Sequence, residues 1–413
     1  MTLYEQLVAR GHVQQVSNES VASYINEPRT IYLGTDPTAD SLHVGHLAVF
    51  MLLKRLKQAG HNVVVLLGGA TGMIGDPSGK SDERNLLTTE QVAQNAIALK
   101  KQISVLFGDG HFDMVNNYDW TAPISTIEFL RDIGKYFSVH TLLGRESIKN
   151  RLESENFFSY TEFSYSLLQA YDFWYLFKNK NCTVQVGASD QWGNMVSGIE
   201  LVHKKEGADV YVITAPLVVD PKTGKKFGKS EGGAVWLDAT KTSPYMFYQF
   251  WLNATDEGVE NFLKVYTEYS LDEIQNIVAE HNANPSARIG QKKLAMAVTT
   301  MVHGADKANA AAEVSSILFG DVNSENKEIS NGALEMVQSE VPGMSGSSKD
   351  IVDALVELNL ATSKREARTL IEQGSVSVGG QKVADGAMLD SLPNNNGLYI
   401  IKKGKSFAWY KKI

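Results

Sequence analysis

Hydrophobic and polar positions change their period along the chain, and each change marks an element. Residues 31–33 are apolar and stop at the turn-forming stretch Gly34-Thr35-Asp36-Pro37-Thr38. From His43 apolar residues recur at helical spacing as far as Gly60, and 63–67 is again a continuous apolar run. Strand, polar loop, helix and strand make one βαβ unit. The alternation continues with helical patterns over 89–107 and near 124–133, a strand-like piece at 112–115, and a long aromatic-rich helix over 160–177. A strand at 183–186, a helix running to about His203 and a strand at 211–214 follow. This order predicts an α/β fold: a Rossmann-like, doubly wound parallel sheet over residues 1–220.

Strand signals then stop. Helical patterns at 256–266, 271–281 and 286–303 predict a helical domain over 236–320. Residues 321–348, rich in Ser, Gly, Asn and Glu with few periodic apolar positions, read as a linker. Residues 349–413 read as a small α+β module. It has a short helix at 351–358, a second with Arg365 and Arg368 on a basic face, a hairpin turning at Gly379-Gly380, and a lysine-rich final strand carrying Lys402, Lys403 and Lys405. No repeat of solenoid period is present.

Composition adds less. The 413 residues, 43% hydrophobic and 21% charged, fit a globular chain of two or three domains. The start lacks a basic, then apolar, leader pattern, and no apolar run approaches the roughly 18 residues of a spanning helix, so no membrane segment is expected. A single cysteine, Cys182, excludes an intrachain disulfide and a Cys-rich zinc site and suits a reducing cytoplasm. Net charge is -8, but residues 349–413 carry +3, leaving -11 on the rest, so an acidic body precedes a basic tail.

The chemistry gathers where strands meet helices. His43 and His46 lie three apart in a first helical turn, where unpaired backbone N–H groups favour anions; imidazole donors there would suit phosphate. Taken alone they fit a surface pair equally well, while a metal site would need further ligands nearby. Gly68–Gly79 holds five glycines at 68, 69, 72, 75 and 79 and is followed by Lys80 and Arg84, but it lacks P-loop spacing. Tyr165, Gln169 and Asp172 share one helix face among aromatic flanks, which predicts a lined pocket, and a carboxylate there needs a partner. Asp190 reads either as the cap of the following helix or as a ribose ligand. The lysine-dense, glycine-bracketed stretch at 221–235 predicts a mobile loop able to meet phosphate charge.

Together these stretches resemble a known family. The run from Asp36 to His46 resembles the "HIGH" signature of class I aminoacyl-tRNA synthetases, with Val for Ile, and Lys226-Phe227-Gly228-Lys229-Ser230 resembles their "KMSKS" signature. Residues 69–80, 165–172 and 189–194 look like those of the bacterial tyrosyl-tRNA synthetases, and the tail resembles an S4-type RNA-binding domain. The match runs in order along essentially the whole chain.

The resemblance implies a tyrosine–tRNA ligase. Such an enzyme activates L-tyrosine with ATP to tyrosyl-adenylate and pyrophosphate, then transfers the tyrosyl group to the 3′ end of tRNA(Tyr). It implies Mg²⁺ accompanying ATP, no zinc or other protein-held metal, a homodimer and no membrane partner. By resemblance, Thr38, His43 and His46 contact ATP, and Lys226, Lys229, Lys80 and Arg84 hold the leaving pyrophosphate. Gly34, Asp36, Gly45 and Asp190 complete the nucleotide side, while Tyr32, Asp76, Tyr165, Gln169, Asp172 and Gln191 line the tyrosine pocket. Arg365, Arg368, Lys402, Lys403 and Lys405 would meet RNA. One departure is Val49, apolar where some relatives carry a ribose-contacting Thr.

Three rivals remain at this level. A tryptophanyl enzyme shares fold and signatures, but Tyr32 and Asp172 offer the donor and acceptor that a phenol needs. A non-catalytic RNA-binding relative has no use for His43, His46, Lys226 and Lys229. A different nucleotidyl transferase leaves the basic tail unexplained.

Overall fold

The computed structural model describes residues 1–76, 87–108, 112–153, 158–219, 229–230, 233–319, 329–395 and 397–413. The chain divides into two compact units, residues 1–242 with 254–294, and residues 243–253 with 295–413.

The first unit is built on a six-stranded sheet. Its strands are β1 (Gln15–Val16), β2 (Thr30–Thr35), β3 (Asn62–Leu67), β4 (Asp113–Asn116), β5 (Cys182–Ala188) and β6 (Tyr211–Ala215), in the spatial order β1-β6-β5-β2-β3-β4. All pairings are parallel except β1 with β6, which is antiparallel. The two-residue β1 lies in a stretch too short to show a period. Ile31 and Leu33 of β2 and Val63–Leu67 of β3 are all buried, which is why these strands read as unbroken apolar runs. β2 has β3 on one side and β5 on the other, so the strand order reverses at β2. The crevice beyond the carboxyl ends of β2 and β5 is where such sheets bind ligands.

Four helices position the site: α1 (Val44–Gln58), α2 (Thr89–Phe107), α3 (Tyr160–Lys180) and α4 (Trp192–Glu206). α1 buries nine residues between Val44 and Leu56, the apolar period that marks it in the sequence. α2 and α3 start in capping boxes, Thr88 with Gln91 and Ser159 with Glu162, each cap stabilising by about 1 kcal/mol. α3 and α4 pack closely because Gly198 lets α4 approach the Phe173 ring, where a Cβ would collide. Cys182 opens β5 and is buried, and burial pushes its thiol well above the usual range. The helices Asp256–Tyr266 and Leu271–Ala283 belong to this unit, as do the paired short strands β7 (Lys229–Ser230) and β8 (Gly233–Ala234).

In the second unit the helix Ala305–Phe319 packs against Pro244–Leu252 and Asn331–Glu340. The last of these corrects the expected linker. Ser330 Oγ accepts from Ala333 N at 3.2 Å to cap it, and Ala333, Met336 and Val337 are buried at helical spacing. Residues Gly343–Gly346, also expected to be linker, are a strand, β9, paired in parallel with the last strand of the chain.

The remaining strands are β10 (Val376–Val378), β11 (Gln381–Lys382), β12 (Leu398–Lys403) and β13 (Ser406–Lys412), in the order β11-β10-β12-β13-β9. Gly379 and Gly380 both take positive φ, 53° and 82°, as a two-residue hairpin turn requires. The helices Ile351–Glu357 and Lys364–Glu372 close the core over Tyr399, Ile401 and Tyr410. Among the described residues no helix is long and apolar enough to cross a membrane.

Candidate active site

At the carboxyl ends of β2 and β5 lies a cavity of about 300 Å³. Its lining includes thirteen residues singled out from the sequence: Tyr32, Gly34, Asp36, Thr38, His43, Gly45, His46, Asp76, Tyr165, Gln169, Asp172, Asp190 and Gln191. Val49 lines it too. Lys80, Arg84 and Lys226 fall outside the described residues. Lys229 is described only as backbone, in the strand Lys229–Ser230.

His43 and His46 are organised by the helix start itself. His43 has extended backbone and is the N-cap of α1. Its Nδ1 accepts from Gly45 N at 3.0 Å, and His46 Nδ1 accepts from His43 N at 3.3 Å, a capping box built of two imidazoles. The rings stack with centroids 3.8 Å apart. An accepting Nδ1 carries no proton, so each neutral ring bears its N–H on Nε2. The pair thus turns two Nε2 donors away from the backbone while helping to satisfy the helix terminus.

The deep end of the cavity is a polar network inside an apolar shell. Asp172 on α3 is 2% exposed. Asn117 Nδ2 donates to its Oδ2 at 2.9 Å, and Trp120 Nε1 donates to its Oδ1 at 2.8 Å. Burial raises its pKa to about 7, although both hydrogen bonds favour the carboxylate. Tyr32, 1% exposed, packs its ring edge-on against Phe173 at 5.2 Å, and its hydroxyl has no partner among the described residues. Burial, and then the charge of Asp172, raise that hydroxyl well above its ordinary pKa, so it stays a donor. Gln169 and Gln185 each have a buried Oε1 without a partner among the described residues. Three orphaned polar atoms on one cavity wall are costly unless a ligand meets them.

Nearer the mouth, Tyr165 OH and Thr71 Oγ1 both donate to Asp36, at 2.7 Å each. Gln191 Nε2 and Asn194 Nδ2 donate to Asp76 at 2.6 and 3.2 Å. Two glycines of the 68–79 stretch matter here, since a Cβ on Gly68 would strike the Asp36 carboxylate and one on Gly69 would strike Asn116. The N-cap position of α4 is Gln191, and among the described residues no side chain caps the helix, which corrects the reading of Asp190 as its capping residue.

The sequence reading misses Thr71, Asn117, Trp120, Gln185 and Asn194. Asn117 sits in a polar run just past β4, a position that marks ligand sites in such sheets. Gln185 is a lone polar side chain between the buried Val184 and Val186.

In the tail, Arg365, Arg368, Lys402 and Lys405 are exposed. Lys403 instead donates to the Leu360 carbonyl at 2.5 Å, and strand alternation puts it on the face opposite Lys402.

Comparison with known proteins assigns first the class. A family model for class I tRNA synthetases of the W and Y type matches residues 24–320, which makes this a class I aminoacyl-tRNA synthetase fold. A second model, the SYY-like C-terminal domain of tyrosine–tRNA ligase, matches residues 328–407. The tyrosine–tRNA ligase of Limosilactobacillus fermentum is 43% identical over 422 residues, covering 100% of both chains. That of Streptococcus pyogenes is 44% identical over 420 residues, 98% of each. A C-terminally truncated mitochondrial tyrosyl-tRNA synthetase of Aspergillus nidulans superposes with a TM-score of 0.70 at 32% identity, over 77% of this chain and 94% of that one. The chain belongs to the tyrosine–tRNA ligase family of ATP-dependent aminoacyl-tRNA synthetases.

Proposed function

We propose that the cavity joins L-tyrosine to ATP, with the side chains above in stated roles, and that the enzyme then charges tRNA(Tyr). The observation that carries the reading is a Tyr32 hydroxyl with no partner among the described residues, lining the same cavity as the Asp172 carboxylate. Together they offer one donor and one acceptor to a phenol hydroxyl, and nothing in an indole requires that pair. Asp172 keeps lone pairs after accepting from Asn117 and Trp120. Asp76, Tyr165, Gln169 and Gln191 surround the amino acid's polar end, and Gly34, Asp36 and Asp190 stand toward the ribose. The tyrosine carboxylate attacks the α-phosphorus, a Pα–O bond forms, and the bond to pyrophosphate breaks. That carboxylate is ionised at pH 7, so the step needs no general base.

What the protein supplies is orientation and charge. The Nε2 donors of His43 and His46 and the hydroxyl of Thr38 face the phosphates. Lys226 and Lys229, with Lys80 and Arg84, receive the pyrophosphate charge. Among the described residues no three His, Cys, Asp or Glu converge as a metal site. Asp36 and Asp76 are engaged in the bonds above, so Mg²⁺ would be carried by the phosphates of ATP.

Arg365, Arg368, Lys402 and Lys405 meet tRNA phosphates in this reading, and a cytoplasmic setting goes with that substrate. A homodimer is supported by the helix Thr126–Asp132, which buries no residue and exposes Ile127 and Leu130. ATP–pyrophosphate exchange with tyrosine, tryptophan and phenylalanine tests the function. Exchange should depend on tyrosine, and equal exchange with tryptophan would overturn the assignment.

A further inference from the structure

The segment after the lysine signature folds back onto the histidine signature. Lys229 and Ser230 pair with Ala234 and Gly233 in a two-stranded ladder. One residue on, Val44 N donates to Val235 O at 3.0 Å and Leu237 N donates to Leu42 O at 2.8 Å, so Trp236 and His43 are antiparallel partners. The Trp236 ring meets His43 edge-on, with centroids 5.9 Å apart, and His43 in turn stacks on His46. On the Trp236 ring also lies Lys241 Nζ, 5.1 Å from its centroid and paired with Asp40. Trp236 N donates to Thr242 Oγ1 at 3.0 Å, and Asp238 N donates to Ser41 Oγ at 3.2 Å. A half-buried tryptophan thus joins the backbone that carries Lys229 to the imidazole stack.

We propose that Trp236 is a positioning residue for tyrosine activation, holding the backbone of Lys229 in register with the His43–His46 cap. The proposal rests on the reading of that cap and that lysine as the phosphate side of the site. A slip of one residue in the Leu42–Val44 pairing would move the Lys229 backbone by about 3.3 Å along the strand. Misplacement by about 1 Å already costs about 100-fold in a reaction that depends on orientation. An edge-on ring contact of this geometry favours one register over close alternatives by roughly two- to ten-fold.

The test uses the full-length enzyme in single-turnover tyrosine activation, normalised to titrated active sites. Trp236→Leu keeps bulk without a ring edge and should lower the activation rate constant about 3- to 10-fold while tyrosine affinity stays within about two-fold. Trp236→Phe should recover to within about two-fold of wild type. In a Lys229→Ala background, Trp236→Leu should cost much less than it does alone. Lys241→Met spares the strand pairing and should slow activation about three-fold, which keeps a readout if Trp236→Leu folds poorly.

An unchanged rate constant per active site, with only the titre or Tm reduced, would assign Trp236 to the scaffold and overturn the proposal. Equal losses in both backgrounds would do the same. His46→Asn separates the two levels: if it activates at the wild-type rate, the phosphate-site reading itself fails.

Discussion

Tyrosine binding should titrate with Asp172, and the size of the effect follows from the burial of that carboxylate. With its pKa raised to about 7 by burial, against hydrogen bonds from Asn117 and Trp120, roughly a tenth of the free enzyme carries the anion at pH 6 and nine-tenths at pH 8. The tyrosine hydroxyl donates to the anion, so binding favours the charged form and lowers the pKa in the complex. A proton therefore leaves on binding, and affinity rises with pH across the window from about 6 to 8. The dissociation constant should fall about 10-fold over that range, about 1.4 kcal/mol.

Titration calorimetry in two buffers of different ionisation enthalpy reads both quantities. Proton release should approach about 0.9 per tyrosine at pH 6 and drop to about 0.1 at pH 8. Asp172→Asn removes the titrating group and should bind weakly, with a flat profile and no proton release. A wild-type profile flat from pH 6 to 8, without released protons, would refute the view that a titrating Asp172 reads the phenol.

Other outcomes follow from the same contacts. Trp120→Phe removes one donor to a charged acceptor, worth about 1.5–3 kcal/mol, and should move the midpoint of the tyrosine-binding profile up by about one to two pH units. Tyr32→Phe should lose about 0.5–1.5 kcal/mol of tyrosine binding and shrink the tyrosine-to-phenylalanine ratio of kcat/KM, with Asp172→Ala shrinking it further; a ratio held at the wild-type value in both would show that the hydroxyl is read elsewhere. Strong rejection of phenylalanine is an established property of tyrosyl-tRNA synthetases in general, and what is inferred for this chain is that Tyr32 and Asp172 supply it. Lys229→Ala should slow activation about 10²- to 10³-fold with little change in tyrosine affinity, checked by pre-steady-state kinetics. Arg365→Gln with Arg368→Gln should leave pyrophosphate exchange intact, weaken tRNA binding and flatten its salt dependence, measured by filter binding across salt.

What the sequence by itself determined was local. The βαβ unit, the helix that begins at His43 and the Gly379-Gly380 hairpin were legible because apolar period, turn chemistry and cap position depend on residues only a few apart. The face shared by Tyr165, Gln169 and Asp172 belongs here too, since it needs only the helical repeat. A pocket carboxylate needing a partner was likewise readable, but not the partner.

The tertiary structure decided what answers that need. Asn117 and Trp120 lie 55 and 52 residues before Asp172 and reach it only when β4 and α3 are brought together by the sheet. The same holds for Thr71 against Asp36 and for Trp236 against His43, pairs whose members are separated by 35 or more residues. The helix Asn331–Glu340 was hidden for a different reason: its polar composition is that of a linker, and burial of Ala333, Met336 and Val337 against a neighbouring helix stabilises it. Periodicity is a property of the backbone and can be read along one strand of text. Which distant polar group satisfies a buried charge is set by how the layers close, because only there does leaving it unpaired carry a cost.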